Sequence, residues 1–240
     1  MKNLVALAVA ASALTVCTAQ AALQHGFEVG ARAGYMFQHN EDLNVNSSFA
    51  TAETMNFSKN LHDNGGMVGL FAGYNWVCNK LLLGMDVSAD WNDADDRHEF
   101  LTRDNTGRFF LNSARFEKDF IYGISGRMGY RGWDMATPFV RLGIERARNK
   151  LTYDVDDVNV VPSVRQLGIA KSRHETGYLA GLGLDIPVFN KNTNVRVEYQ
   201  YHWQNRADYD FVNVGSTFSG RADIKPKAHF LTVGLLWSEV

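Results

Sequence analysis

Arginines and carboxylates fall on alternate residues over long stretches of this chain. Arg196, Glu198 and His202 share one parity of a run, and Asp86 and Asp90 share one parity of another. Residues two apart point the same way only in an extended strand. Guanidinium and carboxylate groups facing one confined space form forked, charge-assisted hydrogen bonds. The full inward set read this way is Glu28, Arg32, Asp86, Asp90, Glu117, Asp119, Arg127, Arg131, Arg141, Glu145, Glu175, Asp185, Arg196, Glu198 and His202. Its expected chemistry is mutual pairing that fills and stiffens an interior. The alternative is a gated ion path, opened when pairs exchange.

Other chemistries find less support. No G-x-S-x-G, H-E-x-x-H or glycine-rich phosphate loop occurs. Two acidic clusters, Asp93, Asp95, Asp96 and Asp154, Asp156, Asp157, supply the oxygens calcium prefers. Arg97 and Val158 stand where a third ligand is needed, so solvated charge is the better reading. No metal and no cofactor is expected. A net charge of -2 gives no sign of nucleic-acid binding.

The elements that would position the charges are amphipathic strands. In 27–37, Phe27, Val29, Ala31, Ala33, Tyr35 and Phe37 oppose Glu28, Gly30, Arg32, Gly34 and Met36. In 67–76, Val68, Leu70, Ala72, Tyr74 and Trp76 oppose Gly69, Phe71, Gly73 and Asn75. Similar runs cover 81–92, about 116–131, 138–149 and 174–186, then Asn194–Trp203 and Phe230–Trp237. In the fourth, Phe116, Phe120, Tyr122 and Ile124 are read as outward, and Glu117, Asp119 and Arg127 as inward. Eight runs suit a closed barrel, and most exceed the ~9–11 residues that cross a bilayer at a tilt. Aromatics such as Tyr35, Trp76, Trp91, Trp203 and Trp237 gather near strand ends, where an interfacial girdle belongs. A soluble barrel would place its apolar face inside. Inward glycines such as Gly69, Gly84 and Gly123 are expected to leave room for guanidiniums.

Connections alternate in length. Residues 77–80, 132–137 and 187–193 are short and rich in turn formers. Residues 39–63, 93–113, 150–173 and 204–227 are long, polar and read as loops. Transmembrane barrels have short periplasmic turns and long extracellular loops. Among the polar residues of the long segments stand Phe49, Phe57, Phe100, Phe109, Phe110, Tyr209, Phe211 and Phe218. Aromatics with a polar rim are favoured in protein-binding surfaces, which makes these eight candidate contacts. They could equally bury against each other or the barrel rim.

The N-terminus fits export. Lys2 provides the positive region, Leu4–Val16 the apolar region and Ala19-Gln20-Ala21 a cleavage site. Residues 1–21 are therefore expected to be a cleaved signal peptide, with residues 22–240 forming one barrel domain. Cys17 leaves with the signal, so Cys78 is expected to be a single inert cysteine. Beyond the signal, no apolar stretch is long enough for a membrane helix.

Taken with the closing segment AHFLTVGLLW, these features resemble the eight-stranded outer-membrane barrels that include the OmpA membrane domain, OmpX and the opacity proteins. The resemblance implies an all-β, eight-stranded, antiparallel up-and-down transmembrane barrel in a bacterial outer membrane. Implied partners are outer-membrane lipid and lipopolysaccharide, the barrel-insertion machinery, and a host or matrix protein met by the loops. The segment departs from the family pattern in continuing past Trp237 with Ser238-Glu239-Val240. Lipid A deacylase barrels would need His-x-Ser in the penultimate strand. Here that run reads His202-Trp203-Gln204, so a non-catalytic surface protein is expected, with a narrow passive channel as the alternative.

Overall fold

The computed structural model describes residues 24–38, 41–48, 54–61, 64–103, 107, 109–157, 164–188, 192–205, 207–212, 219–224 and 226–239. The expected signal at 1–21, and the contact candidates Phe49 and Phe218, lie outside the described residues.

The described residues form strands and turns, and no helix among them is long and apolar enough to cross a membrane. Eight strands close into a barrel. They are β1 (Gln24–Gln38), β4 (Asn64–Cys78), β5 (Leu81–Arg103), β6 (Phe109–Tyr130), β7 (Thr137–Asp157), β8 (Val164–Pro187), β9 (Thr193–Gln204) and β12 (Lys227–Ser238). The spatial order is β1-β12-β9-β8-β7-β6-β5-β4, all neighbours antiparallel, with β4 returning to β1. A closed ladder leaves no backbone edge in the hydrocarbon, which a membrane requires.

The alternation sets which face is which. On β9, Arg196, Glu198, Gln200 and His202 are buried while Tyr199 is exposed. On β7, Leu142 is 66% exposed and its neighbour Arg141 only 1%. Apolar outside and charge inside reverses the arrangement of a water-soluble domain. The outer apolar surface is bounded by two aromatic belts. Phe27, Tyr74 and Trp76 form one group, with Phe27 edge-on to Tyr74 at 4.9 Å. Trp91, Phe120 and Tyr122 belong to the other. On β1, roughly ten residues separate the belts, which at ~3.3 Å per residue and a ~40° tilt reach about 25 Å.

At the first short turn, Asn79 takes the left-handed conformation, φ 60°, between the paired Cys78 and Leu81. Asn tolerates this better than most residues, as two-residue hairpin turns demand.

Two expectations need correction. The long polar segments are strands over much of their length. Residues 93–103 and 109–113 extend β5 and β6, and residues 150–157 and 164–173 extend β7 and β8, as one paired wall. Residues within 39–63 and 204–227 form β2 (Glu41–Ser48), β3 (Thr54–Leu61), β10 (Ala207–Val212) and β11 (Ser219–Ile224), a second sheet in the order β10-β11-β2-β3. Strands with water available on both faces need no apolar alternation, so the periodicity signal fades there.

The second correction is one of parity. The β6–β7 register shifts between Lys118 and Phe120, leaving Asp119 as the extra residue of a bulge. Below it, Ile121, Ser125 and Arg127 face in. Above it the inward set switches to Lys118, Phe116 and Ala114, all buried. Phe116 therefore faces the lumen and not the lipid, contrary to its parity in the sequence, and neither Glu117 nor Asp119 is part of the inner stack.

Candidate functional site

The buried charges form layers across the lumen. The lowest joins five strands. Arg127 on β6 donates through Nη2 to Glu28 Oε2 at 2.6 Å and to Asn75 Oδ1 at 2.8 Å. Its Nη1 reaches Asp185 Oδ2 at 3.2 Å. Arg196 on β9 holds Asp185 with a fork, Nε to Oδ1 at 2.7 Å and Nη2 to Oδ2 at 3.0 Å. It also reaches Glu28 Oε1 at 3.3 Å. Both guanidiniums pack on aromatic faces. Arg127 lies 5.2 Å from the Phe139 ring centre, and Arg196 lies 4.9 Å from that of Phe71. Such stacking satisfies the flat faces that carboxylates cannot reach.

The next layer pairs Arg32 with Asp90 through a fork of 2.8 and 2.6 Å. Arg141 Nη2 donates to Asp86 Oδ2 at 2.9 Å. Arg141 Nη1 stands 3.2 Å from Glu198 Oε2, an ion pair whose angle misses hydrogen-bond geometry. Arg32 Nη1 is 3.9 Å from the same oxygen. Glu198 thus sits between two cations as an electrostatic bridge.

Higher still, His202 Nδ1 meets Glu145 Oε2 at 2.5 Å, and its Nε2 meets Gln200 Oε1 at 2.8 Å. The His202 ring packs 4.4 Å from Phe230, and Lys118 Nζ lies 5.9 Å from the centre of the same ring. Asn149 donates to Gln204 at 2.9 Å. Met36, Met67, Ile121, Ala147, Ala228 and Phe230 make an apolar cluster at this level. The lumen is therefore filled twice, by paired charge below and, above, by hydrocarbon packed around the Glu145–His202 pair and Lys118. Its periplasmic end holds a polar cavity of about 50 Å³, lined by Glu28, Arg127, Arg131 and Asp185 among others.

Glycine makes the packing possible at specific points. A Cβ on Gly84 would meet Asn75 Oδ1 at 2.5 Å and Arg127 Nε at 3.4 Å, and one on Gly69 would overlap the Asp90 carboxylate. Gly30 and Gly183 instead make room for the rings of Phe71 and Phe139. The inward glycines thus accommodate carboxylates and aromatic rings as much as guanidiniums.

Of the charges read as inward, Glu28, Arg32, Asp86, Asp90, Arg127, Arg141, Glu145, Asp185, Arg196, Glu198 and His202 are buried. Four are placed differently. Arg131 is exposed at the periplasmic turn, and Glu117, Asp119 and Glu175 are half-buried near the external end. Glu117 pairs with Lys150 at 2.8 Å and Arg115 at 3.0 Å. Asn75, Lys118, Asn149, Gln200 and Gln204 also belong to the lumen and were not singled out. Neutral amides carry no charge signal, and the bulge concealed Lys118.

The aromatic contact candidates divide as well. Tyr209 is fully buried, with Arg173 stacked 5.8 Å from its ring centre. Phe110 is half-buried and Phe109 exposed. Phe57, Phe100 and Phe211 occupy positions on β3, β5 and β10. The two acidic clusters lie on β5 and β7 and not on loops. No group of three or more His, Cys, Asp or Glu among the described residues could hold a metal.

A closed barrel with apolar skin and charged interior defines a membrane-spanning β-barrel protein. The chain belongs to the outer membrane protein beta-barrel domain family, whose model matches residues 5–238. Its place is accordingly the bacterial outer membrane. Among curated proteins nothing matches. Among solved structures, the outer membrane protein OprG from Pseudomonas aeruginosa is similar at a TM-score of 0.53 and 12% identity, covering 88% of this chain and 96% of that one. The outer membrane protease OmpT from Escherichia coli is similar at 0.50 and 9%, covering 89% and 96%. Neisserial surface protein A aligns at 14% identity over 90% and 98%, with a TM-score of 0.40. At these identities the likeness is one of fold.

Proposed function

We propose that this protein is a non-catalytic, non-conducting surface barrel. It serves envelope structure and presents the external sheets for contacts, including adhesion to a host cell or matrix. The observation that carries this reading is the doubly filled lumen. Six buried carboxylates, Glu28, Asp86, Asp90, Glu145, Asp185 and Glu198, face four buried guanidiniums, Arg32, Arg127, Arg141 and Arg196, together with Lys118 and His202. Charge so nearly balanced leaves no single-sign ring of the sort that selects ions. The apolar cluster around Phe230 then blocks the route above it. The rise of β5–β8 beyond the aromatic belt supports an external role, because it projects a wall of paired strands into the medium.

The test has two arms. Purified barrel in planar bilayers is expected to be silent. Cells displaying it are expected to bind host matrix or epithelial surfaces more than cells lacking it. Steady single-channel steps whose ion selectivity follows Arg196→Ala or Glu198→Ala would replace this reading with a narrow passive channel.

A further inference from the structure

The outward face of β7 and β8 changes character at one level. Leu142, Ile144, Leu182 and Tyr178 stand exposed below it. Immediately above, the outward series becomes Arg146 and Arg148 on β7, and Thr176, His174 and Ser172 on β8, all exposed. The register interleaves them. Arg146 lies opposite Thr176, and Arg148 opposite His174. On the other flank Tyr122 lies opposite Arg146, and Phe120 opposite Arg148. Arg148 Nε donates to Ser172 Oγ at 3.3 Å, which draws the guanidinium across the two strands. Among the described residues, neither Arg146 nor Arg148 forms an ion pair. Higher on the same face, Lys150 and Arg115 are tied to Glu117. Asp119, at the bulge, is half-buried.

We propose that Arg146, Arg148, Ser172, His174 and Thr176 form a binding site for the phosphates of a glycolipid in the outer leaflet. Three observations lead there. The first is height. Phe120, Tyr122 and Tyr178 belong to the upper aromatic belt, and such belts sit at the level of the headgroups. A row level with that belt on the outer wall, Arg146 opposite Tyr122 and Arg148 opposite Phe120, faces headgroups. The second is chemistry. Two guanidiniums outside any ion pair among the described residues, with Glu175 acting on Arg146 only at longer range, stand beside hydroxyl and imidazole groups; together they supply the donors that phosphate oxygens accept, and the planar fork of arginine suits them. Leu142 and Ile144 directly beneath would meet the acyl chains of the same molecule. The third is one-sidedness. At the corresponding level elsewhere, the described outer positions hold Phe37 on β1, Asn64 on β4, Asp93 on β5 and Lys227 on β12, and the higher facing pair Arg97 and Arg115 is tied to Glu99 and Glu117. The donors also stand on paired strands, so little ordering is needed on binding.

The proposal rests on the family's membrane placement and not on the silent-lumen reading, so the two can fail separately. The test uses full-length folded protein in detergent with a chelator present, which prevents a divalent ion from bridging. Native mass spectrometry would count adducts of bis-phosphorylated lipid A, monophosphorylated lipid A and inorganic phosphate. The unaltered barrel is expected to retain bis-phosphorylated lipid A roughly tenfold better than the monophosphorylated form. Arg146→Gln with Arg148→Gln should abolish that preference, while Lys227→Gln on β12, two strands away from β8, keeps it. Free phosphate should not be retained, since it lacks the acyl chains. Equal retention of both lipids by the unaltered barrel would overturn the proposal without any variant. So would an undiminished preference in the double variant, or a preference lost equally in Lys227→Gln.

Discussion

The lower and upper halves of the lumen solve one problem with different forces. Below, Arg127 and Arg196 hold Glu28 and Asp185 in a directional network anchored on five strands. Above, Met36, Met67, Ile121 and Phe230 close the same tube by packing, which has no preferred direction. Breaking one member of the network strands buried charges. Trimming the packed cluster leaves a hole whose neighbours relax in part. The difference teaches that an interior can be sealed by either route, but that only the charged seal fails sharply when a single partner goes.

The largest expected effect follows from this. Arg127→Ala should lower stability by about 3–5 kcal/mol, because Glu28 and Asp185 each lose a partner in a buried site. Urea unfolding of the barrel in lipid measures it, and a loss below about 1 kcal/mol would mean that water already screens the lower half. Phe230→Ala should cost about 3 kcal/mol through the cavity it leaves. Bilayers should stay silent with this variant, since the charged layers beneath remain closed. Conductance from Phe230→Ala alone would show that the apolar half is the real barrier. On the outer wall, Leu142→Arg should cost about 2–4 kcal/mol if the residue sits near the bilayer midplane. Tolerance equal to that of Asn46→Arg on β2 would contradict a lipid-facing position. The smallest effect belongs to Arg97 and Glu99, which pair at 2.9 Å with both side chains largely exposed. Removing either should change stability by less than about 1 kcal/mol, so a larger loss would give the external wall an electrostatic role like that of the lumen.

Much of the barrel was legible because a membrane enforces strict alternation. On β1, β9 and β12 the inward and outward sets follow the period of two without exception, since one face meets hydrocarbon and the other meets charge. The external parts were not legible in the same way. Residues 93–103 and 150–157 read as polar loops although they are strands, because water can satisfy both faces outside the bilayer. Phe116, Leu151 and Tyr153 nonetheless bury there on the inner side, a pattern diluted by the polar residues between them.

By itself, the sequence determined the strand count of the barrel, the short turns and the parity of most charges, since each depends only on residues near one another in the chain. The tertiary structure decided what those charges touch. Arg127 finds Glu28 across 99 positions and Arg196 finds it across 168, distances that only closure and the stagger of the strands translate into contact. It also decided that a single bulge at Asp119 turns Lys118 inward and Glu117 outward. A register shift is a property of two paired strands, and neither strand records it alone.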